Sequence, residues 1–281
     1  MSEQLTFTSP LDGLRTAREH CTEQCFSYHA AWGLFRTTGL KGTPRWHTGF
    51  YRTALEHWER PPGRLRVLVA GAADHTVLNV LERLLGSERL EIHVIDACPT
   101  PLALCRAHAY WTGLRVTERQ DHAPELATCD GNYDLIITDG LLSLLTTPEQ
   151  RTATVARFAK LLARDGLLLY TARIAGDSGA LEYDQIGRHI MAVTALTSWP
   201  GSARERISLA HAERTRPSRP APFSSTGDVA ACFEEVFATV RTHTRTAPHT
   251  VPLALAPSVR AGRGSTSVGI TATGPHPRSR P

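Results

Sequence analysis

The residues best placed to do chemistry are aspartates that follow short apolar runs. Val67, Leu68 and Val69 form one run, after which come Ala70, Gly71, Ala72, Ala73 and then Asp74. Ile92, Val94 and Ile95 form a second, closed by Asp96. Runs of this length fit parallel strands covered on both faces, and only small residues let a backbone turn tightly and approach a ligand closely. An acid roughly 20 residues beyond such a turn can accept hydrogen bonds from both hydroxyls of a ribose. The turn lacks two of the three glycines of a dinucleotide-binding G-x-G-x-x-G, and Asp74 puts a negative charge at its mouth that repels a pyrophosphate. A ribose ligand with a cationic amino-acid tail suits it better.

A second group lies nearer the N-terminus: Tyr28, His29, Trp32, Arg36, Arg45, Trp46, His47 and Tyr51. Aromatic faces stabilise a cation by up to about 2 kcal/mol when desolvated, and histidine can take a proton from an amine or hydroxyl. His29, His47 and Tyr51 are therefore candidate proton acceptors or orienting hydrogen-bond partners. Tyr28, Trp32 and Trp46 are candidate substrate contacts, the tryptophans as apolar walls, with burial in the core as the competing role for each tryptophan.

Further blocks continue the pattern. VTERQDH ends in Asp121 and His122, YDLIITDGLLSLL carries Thr138 and Asp139, and LLARDGLLLYTARI runs to Ile174. Together with VLVAGAADHT and VIDACP, these five blocks, from about Leu65 to Ile174, resemble the nucleotide-binding core of class I S-adenosylmethionine (SAM)-dependent methyltransferases. Ala70-Gly71-Ala72-Ala73 stands where that superfamily has its glycine-rich loop. The resemblance implies an α/β fold with a doubly wound, seven-stranded, mostly parallel sheet and an N-terminal helical lid. It implies SAM as the cofactor, with Gly71, Ala72, Asp74, Asp96, Ala97, Asp121, His122 and Thr138 as its contacts. In that scheme Asp96 holds the ribose and Asp121 sits near the adenine amine. Asp74 meets the cofactor's ammonium, with helix capping as its competing role. Asp139 faces the reaction zone, and Arg173 is a candidate for a substrate carboxylate, a surface salt bridge being its alternative. The implied activity is methylation of a small-molecule acceptor, in specialised metabolism, by in-line displacement at the sulfonium methyl. Two alternatives keep the cofactor. One is attack on its aminopropyl group, as in ring closure to azetidine-2-carboxylate with release of methylthioadenosine; the other is SAM binding without turnover.

The elements that must position these residues follow from periodicity. Leu14, Ala17, Cys21, Cys25, Tyr28, Trp32 and Phe35 recur at helical steps, which predicts one long helix or two over 11–38. Pro44 opens a further helix, and Pro61-Pro62-Gly63 marks the boundary to the core. Strands are expected at about 65–70, 91–96, 114–118, 133–138, 167–173, 237–244 and 267–273, the last antiparallel. Helices are expected over 180–199, 202–215 and 227–236. Residues 217–222 read as a linker and 248–264 as a loop. The chain thus divides into a helical lid (1–60), a SAM-binding core (61–274) and a disordered tail (275–281).

Composition narrows the class. The 281 residues carry a formal net charge of +4, much of it between Arg260 and Arg280. No basic stripe with interleaved aromatics is evident, so no nucleic-acid partner is expected. No run of eighteen apolar residues and no signal sequence are present, so a cytoplasmic, non-membrane protein is expected, monomeric or homodimeric. Of the six cysteines, Cys98, Cys105, Cys129 and Cys232 are scattered and read as free thiols. Cys21, Cys25 and His29 share one helix face, but zinc sites usually use C-x-x-C spacing and four ligands. The expectation is packed thiols and no metal.

Overall fold

The computed structural model describes residues 10–37, 44–122, 126, 129, 131–174, 180–216, 223–247 and 265–276. Seven strands form one sheet in the order β3-β2-β1-β4-β5-β7-β6: β1 (Leu65–Ala70), β2 (Leu90–Asp96), β3 (Arg115–Gln120), β4 (Tyr133–Asp139), β5 (Leu162–Ile174), β6 (Phe237–Ala247) and β7 (Ser265–Pro275). The first five run parallel to one another, and β7 runs antiparallel between β5 and β6. This is the doubly wound sheet expected from the sequence. Its topological switch falls between β1 and β4, so a crevice opens where the C-terminal ends of β1, β2 and β4 meet.

Alternation along the strands sends side chains to two separate cores. Val67, Val69, Ile92, Val94, Ile137 and Leu169 face α3 (Pro44–Glu56), α4 (Thr76–Leu85) and α5 (Pro99–Thr112). Leu68, Ile136, Leu168, Tyr170 and Ile270 face α6 (Pro148–Leu161) and α9 (Thr226–Glu234). Helix starts carry their own signals. Thr147 with Gln150, and Ser225 with Asp228, form capping boxes for α6 and α9, and Cys98 caps α5 ahead of Pro99.

The N-terminal stretch forms two helices, α1 (Pro10–His20) and α2 (Glu23–Thr37), broken at Cys21 and Thr22. α1 packs on α2 and α5. α3 is seated on the sheet by Phe50, whose ring lies so close to Gly269 of β7 that any Cβ there would come within 2.7 Å of it. The helix pair α7 (Ala180–Ser198) and α8 (Ala203–Thr215) packs together, with α7 against α2. From sequence these were two helices following the fifth strand. In the fold they buttress α2, through Met191 of α7 against Ala31 and Phe35. β7 runs through Gly274 to Pro275, and the His276 N–H donates to Val236 O at 2.9 Å. The linker at 217–222, the loop at 248–264 and residues 277–281 lie outside the described residues.

Candidate functional site

Gly71 leaves β1 with φ of 75°, a conformation that favours glycine, and its N–H donates to Ile95 O at 2.8 Å. That bond ties the turn to the end of β2, where Asp96 emerges. The Asp96 Oδ1 accepts the Cys98 N–H at 2.7 Å. Burial pushes this carboxyl up to about 6, against the pull of backbone hydrogen bonds from Cys98 and Ala72 and the nearby charge of His29. A half-buried acid capable of accepting from two hydroxyls, beside a tight turn, could hold a ribose. Asp121 follows β3, its N–H bonded to Asp96 O at 3.1 Å. His122 is exposed beside it and donates its N–H to Asp121 Oδ1 at 2.8 Å. Ala97 is exposed at the mouth, and its carbonyl accepts from Gln120. Thr138 is buried on the other face of β4, its hydroxyl without a hydrogen-bond partner.

Asp74 is surrounded by protein donors. Its carboxylate accepts from Arg36 Nη1 at 2.9 and 3.0 Å, from Trp32 Nε1 at 3.1 Å, and from the Thr76 N–H at 2.8 Å at the start of α4. The pair is buried, with Arg36 10% and Asp74 5% exposed. The N-cap position of α4 is His75, so Asp74 bonds within the turn just ahead of the helix and forms a clasp between α2 and the turn after β1, and Trp32 belongs to that clasp. Arg36 was visible in the sequence as a charged residue one turn beyond Trp32; only the fold supplies its partner.

The end of β4 carries a pair that spacing did not reveal. His47 Nδ1 lies 3.3 Å from Asp139 Oδ2, and the Thr171 hydroxyl donates to Asp139 Oδ1 at 2.7 Å. Burial would raise the Asp139 carboxyl, but His47, Thr171 and Arg36 pull it down to about 2. Trp46 stacks on Phe50 at 5.6 Å and meets the His47 ring at 5.4 Å. It packs against the α3-side core and braces the histidine. Tyr51 is buried at 1% exposure, its hydroxyl approaching Thr171 without good hydrogen-bond geometry. Burial and Asp139 push that phenol well above its usual range, which favours its neutral form and the orienting hydrogen-bond role over the proton-acceptor role. Tyr28 lies where Asp139, Asp96 and Asp74 all act on it; burial and these acids keep its phenol protonated. Arg173 sits two residues beyond Thr171 on β5, paired in register with Ser267.

His29 joins a different group. It is 8% exposed, with Nδ1 3.5 Å from Cys21 Sγ. Cys98 Sγ lies 3.6 Å from Cys21 Sγ and 3.5 Å from Cys25 Sγ. Burial works to lower the imidazole, but hydrogen bonds to Cys25 and Cys98 win and raise it to about 9. Hydrogen bonds from Cys21 and Cys98 pull the Cys25 thiol down, while Cys21, the donor, is pushed up. The sequence grouping of Cys21, Cys25 and His29 lacked its fourth member, which arrives from the β2–α5 turn.

No protein-family model matches the chain, and no curated protein sequence does. Similarity appears with solved structures. A phosphoethanolamine N-methyltransferase 2 of Haemonchus contortus, in complex with phosphomonomethylethanolamine and S-adenosylhomocysteine, is 12% identical with a TM-score of 0.57, covering 92% of this chain and 60% of its own. The CurJ carbon methyltransferase is 15% identical with a TM-score of 0.54, covering 90% and 61%. The CMeT domain of the citrinin polyketide synthase is 11% identical with a TM-score of 0.53, covering 91% and 60%. The chain thus spans about three fifths of each of these structures. At such identities the likeness establishes the fold: this chain has the Rossmann-like fold of class I methyltransferases. Among the described residues no helix is long and apolar enough to cross a membrane.

Proposed function

We propose that the protein is a SAM-dependent methyltransferase of small molecules, with residues 1–60 acting as a lid over a core at 61–274. The carrying observation is the convergence at one crevice of a positive-φ glycine turn, a half-buried acid with a raised carboxyl at Asp96 and a His47–Asp139 pair. Bound SAM supplies an electrophilic methyl group on a sulfonium. Asp96 accepts from the ribose hydroxyls, Asp121 and His122 lie toward the base, and Gly71 and Ala72 let the backbone approach. Asp74 acts at one remove, by holding Arg36 and Trp32 across the turn. Asp139 is a positioning residue: accepting from His47 Nδ1 leaves Nε2 as the proton acceptor. Tyr28 and Tyr51 line the reaction zone as neutral phenols. Arg173, further along β5, is the candidate contact for an acidic acceptor. Proximity and alignment supply much of the remaining acceleration. The acceptor is a small molecule, met by a monomer or homodimer in the cytoplasm; the six unpaired cysteines suit a reducing compartment.

The test has two parts. Calorimetry should find SAM binding to the wild type and its loss or weakening in Asp96→Ala. Incubation with SAM and a panel of amines, phenols and carbon acids should yield S-adenosylhomocysteine. Methylthioadenosine as the nucleoside product would replace methyl transfer by aminopropyl chemistry. Binding without either product for any acceptor would favour a non-catalytic SAM-binding role.

A further inference from the structure

The thiol cluster takes no part in that chemistry. One donor atom each from Cys21, Cys25, His29 and Cys98 lie within 4.8 Å of one another. A tetrahedral zinc with bonds of about 2.3 Å to sulfur and about 2.0 Å to nitrogen has sulfur–sulfur edges of about 3.8 Å and sulfur–nitrogen edges of about 3.5 Å. The observed edges are 3.6 Å for Cys21–Cys98, 3.5 Å for Cys25–Cys98 and 3.5 Å from Cys21 Sγ to His29 Nδ1. These three edges match a tetrahedral ion, and the remaining ones lie within 4.8 Å.

The set is also built. Cys25 and His29 are one turn apart on α2, Cys21 sits at the break before it, and Cys98 caps α5 immediately beyond β2. His29 and Cys98 are buried. Thr100 supports the group from outside: its hydroxyl lies 2.9 Å from Cys21 Sγ, and its N–H donates to Cys98 Sγ at 3.5 Å. Hydrogen bonds of this kind orient metal ligands and hold thiolates. Packed free thiols, the expectation from sequence, would not require a buried imidazole aimed at them.

We propose that Cys21, Cys25, His29 and Cys98 bind one zinc ion in a closed, structural Cys3His site that fastens the N-terminal helices to the end of β2. Four protein ligands leave no open position for substrate, which marks the site as structural and not catalytic. Binding releases the thiol protons to solvent and occupies the ring nitrogen of His29 that faces the sulfurs. His29 is thereby withdrawn from the candidate proton acceptors. The ion also fixes α2, and with it Tyr28, over Asp96. The inference does not depend on SAM chemistry, because its readout is metal content.

Full-length protein purified under reducing conditions without chelator should carry about one zinc per chain by elemental analysis and native mass spectrometry. Cobalt substitution should give thiolate charge-transfer bands and the strong visible bands of a tetrahedral site. Cys25→Ser and Cys98→Ser should each lose most of the metal, while Cys232→Ser keeps it. Removing zinc from the wild type should speed proteolysis within residues 10–37. The cobalt spectrum of the wild type decides the matter even if the serine variants fail to fold. The proposal is overturned by reduced wild type that takes up neither zinc nor cobalt. It is equally overturned by a chain mass 2 Da lower from a Cys98 disulfide in freshly isolated protein, or by unchanged zinc content in both variants.

Discussion

Asp96 and Asp139 end β2 and β4, strands that flank β1 on opposite sides in the same parallel sheet. Both reach the crevice, yet their carboxyls are shifted in opposite directions. Asp139 has a histidine in contact, a hydroxyl donor and an arginine in range, and its carboxyl falls to about 2. Asp96 is supported chiefly by backbone N–H groups, and burial dominates, lifting it to about 6. When the environments of two like acids pull them apart, their roles differ. Asp139 is answered by the protein itself, through His47 and Thr171. Asp96 is under-answered, which suits an acid whose donors arrive with a ligand.

The comparison breaks most sharply at the β4 end. His47→Ala should lower turnover by roughly 10²–10⁴-fold, the range for general-base catalysis, with SAM affinity nearly unchanged. Asp139→Asn should act in the same direction. Wild-type rates from either variant, alongside wild-type binding, would remove the pair from the mechanism. Arg36→Ala should come next in size. It strands the buried Asp74 carboxylate and takes a positive charge from Asp139, so stability should fall by roughly 3–5 kcal/mol in chemical denaturation. A loss under about 1 kcal/mol would mean that water replaces the guanidinium freely.

The β2 end should respond in binding instead. Asp96→Ala is expected to weaken SAM binding by roughly 2–3 kcal/mol with the fold intact, because an ionised acceptor for two hydroxyls is lost. Unchanged affinity by calorimetry would refute the assignment. The smallest effect is the pH dependence of Asp139. Its carboxyl lies below the unfolded value, so its contribution is present above about pH 4 and fades as pH falls through about 2. With the carboxylate 33% exposed, about 1 kcal/mol is a reasonable size. The stability gap between wild type and Asp139→Asn should narrow over that window, and a gap that widens toward acid would reverse the sign.

Much of the fold was legible because strands declare themselves locally. Val67-Leu68-Val69 and Ile92 to Ile95 are apolar without alternation, as strands covered by helices on both faces must be. The break between α1 and α2 at Cys21 was ambiguous, because the apolar stripe runs through it. The buttress formed by α7 and α8 on α2 was invisible, since each helix reads as ordinary until its partner is known.

The site divides along the same line. Gly71 and Asp96 were determined by the sequence itself: a tight turn leaves few residue choices, and an acid closing an apolar strand is conspicuous within a window of roughly 30 residues. Asp74 with Arg36, His47 with Asp139, and Cys98 with Cys21, Cys25 and His29 were decided only by the tertiary structure. Each joins residues of the N-terminal helices to a turn far along the chain. Helical periodicity states which face a side chain shares with its neighbours, but not what that face meets. The meeting is set by how α1, α2 and α3 pack across the ends of the strands, and that packing depends on side chains drawn from the whole sheet.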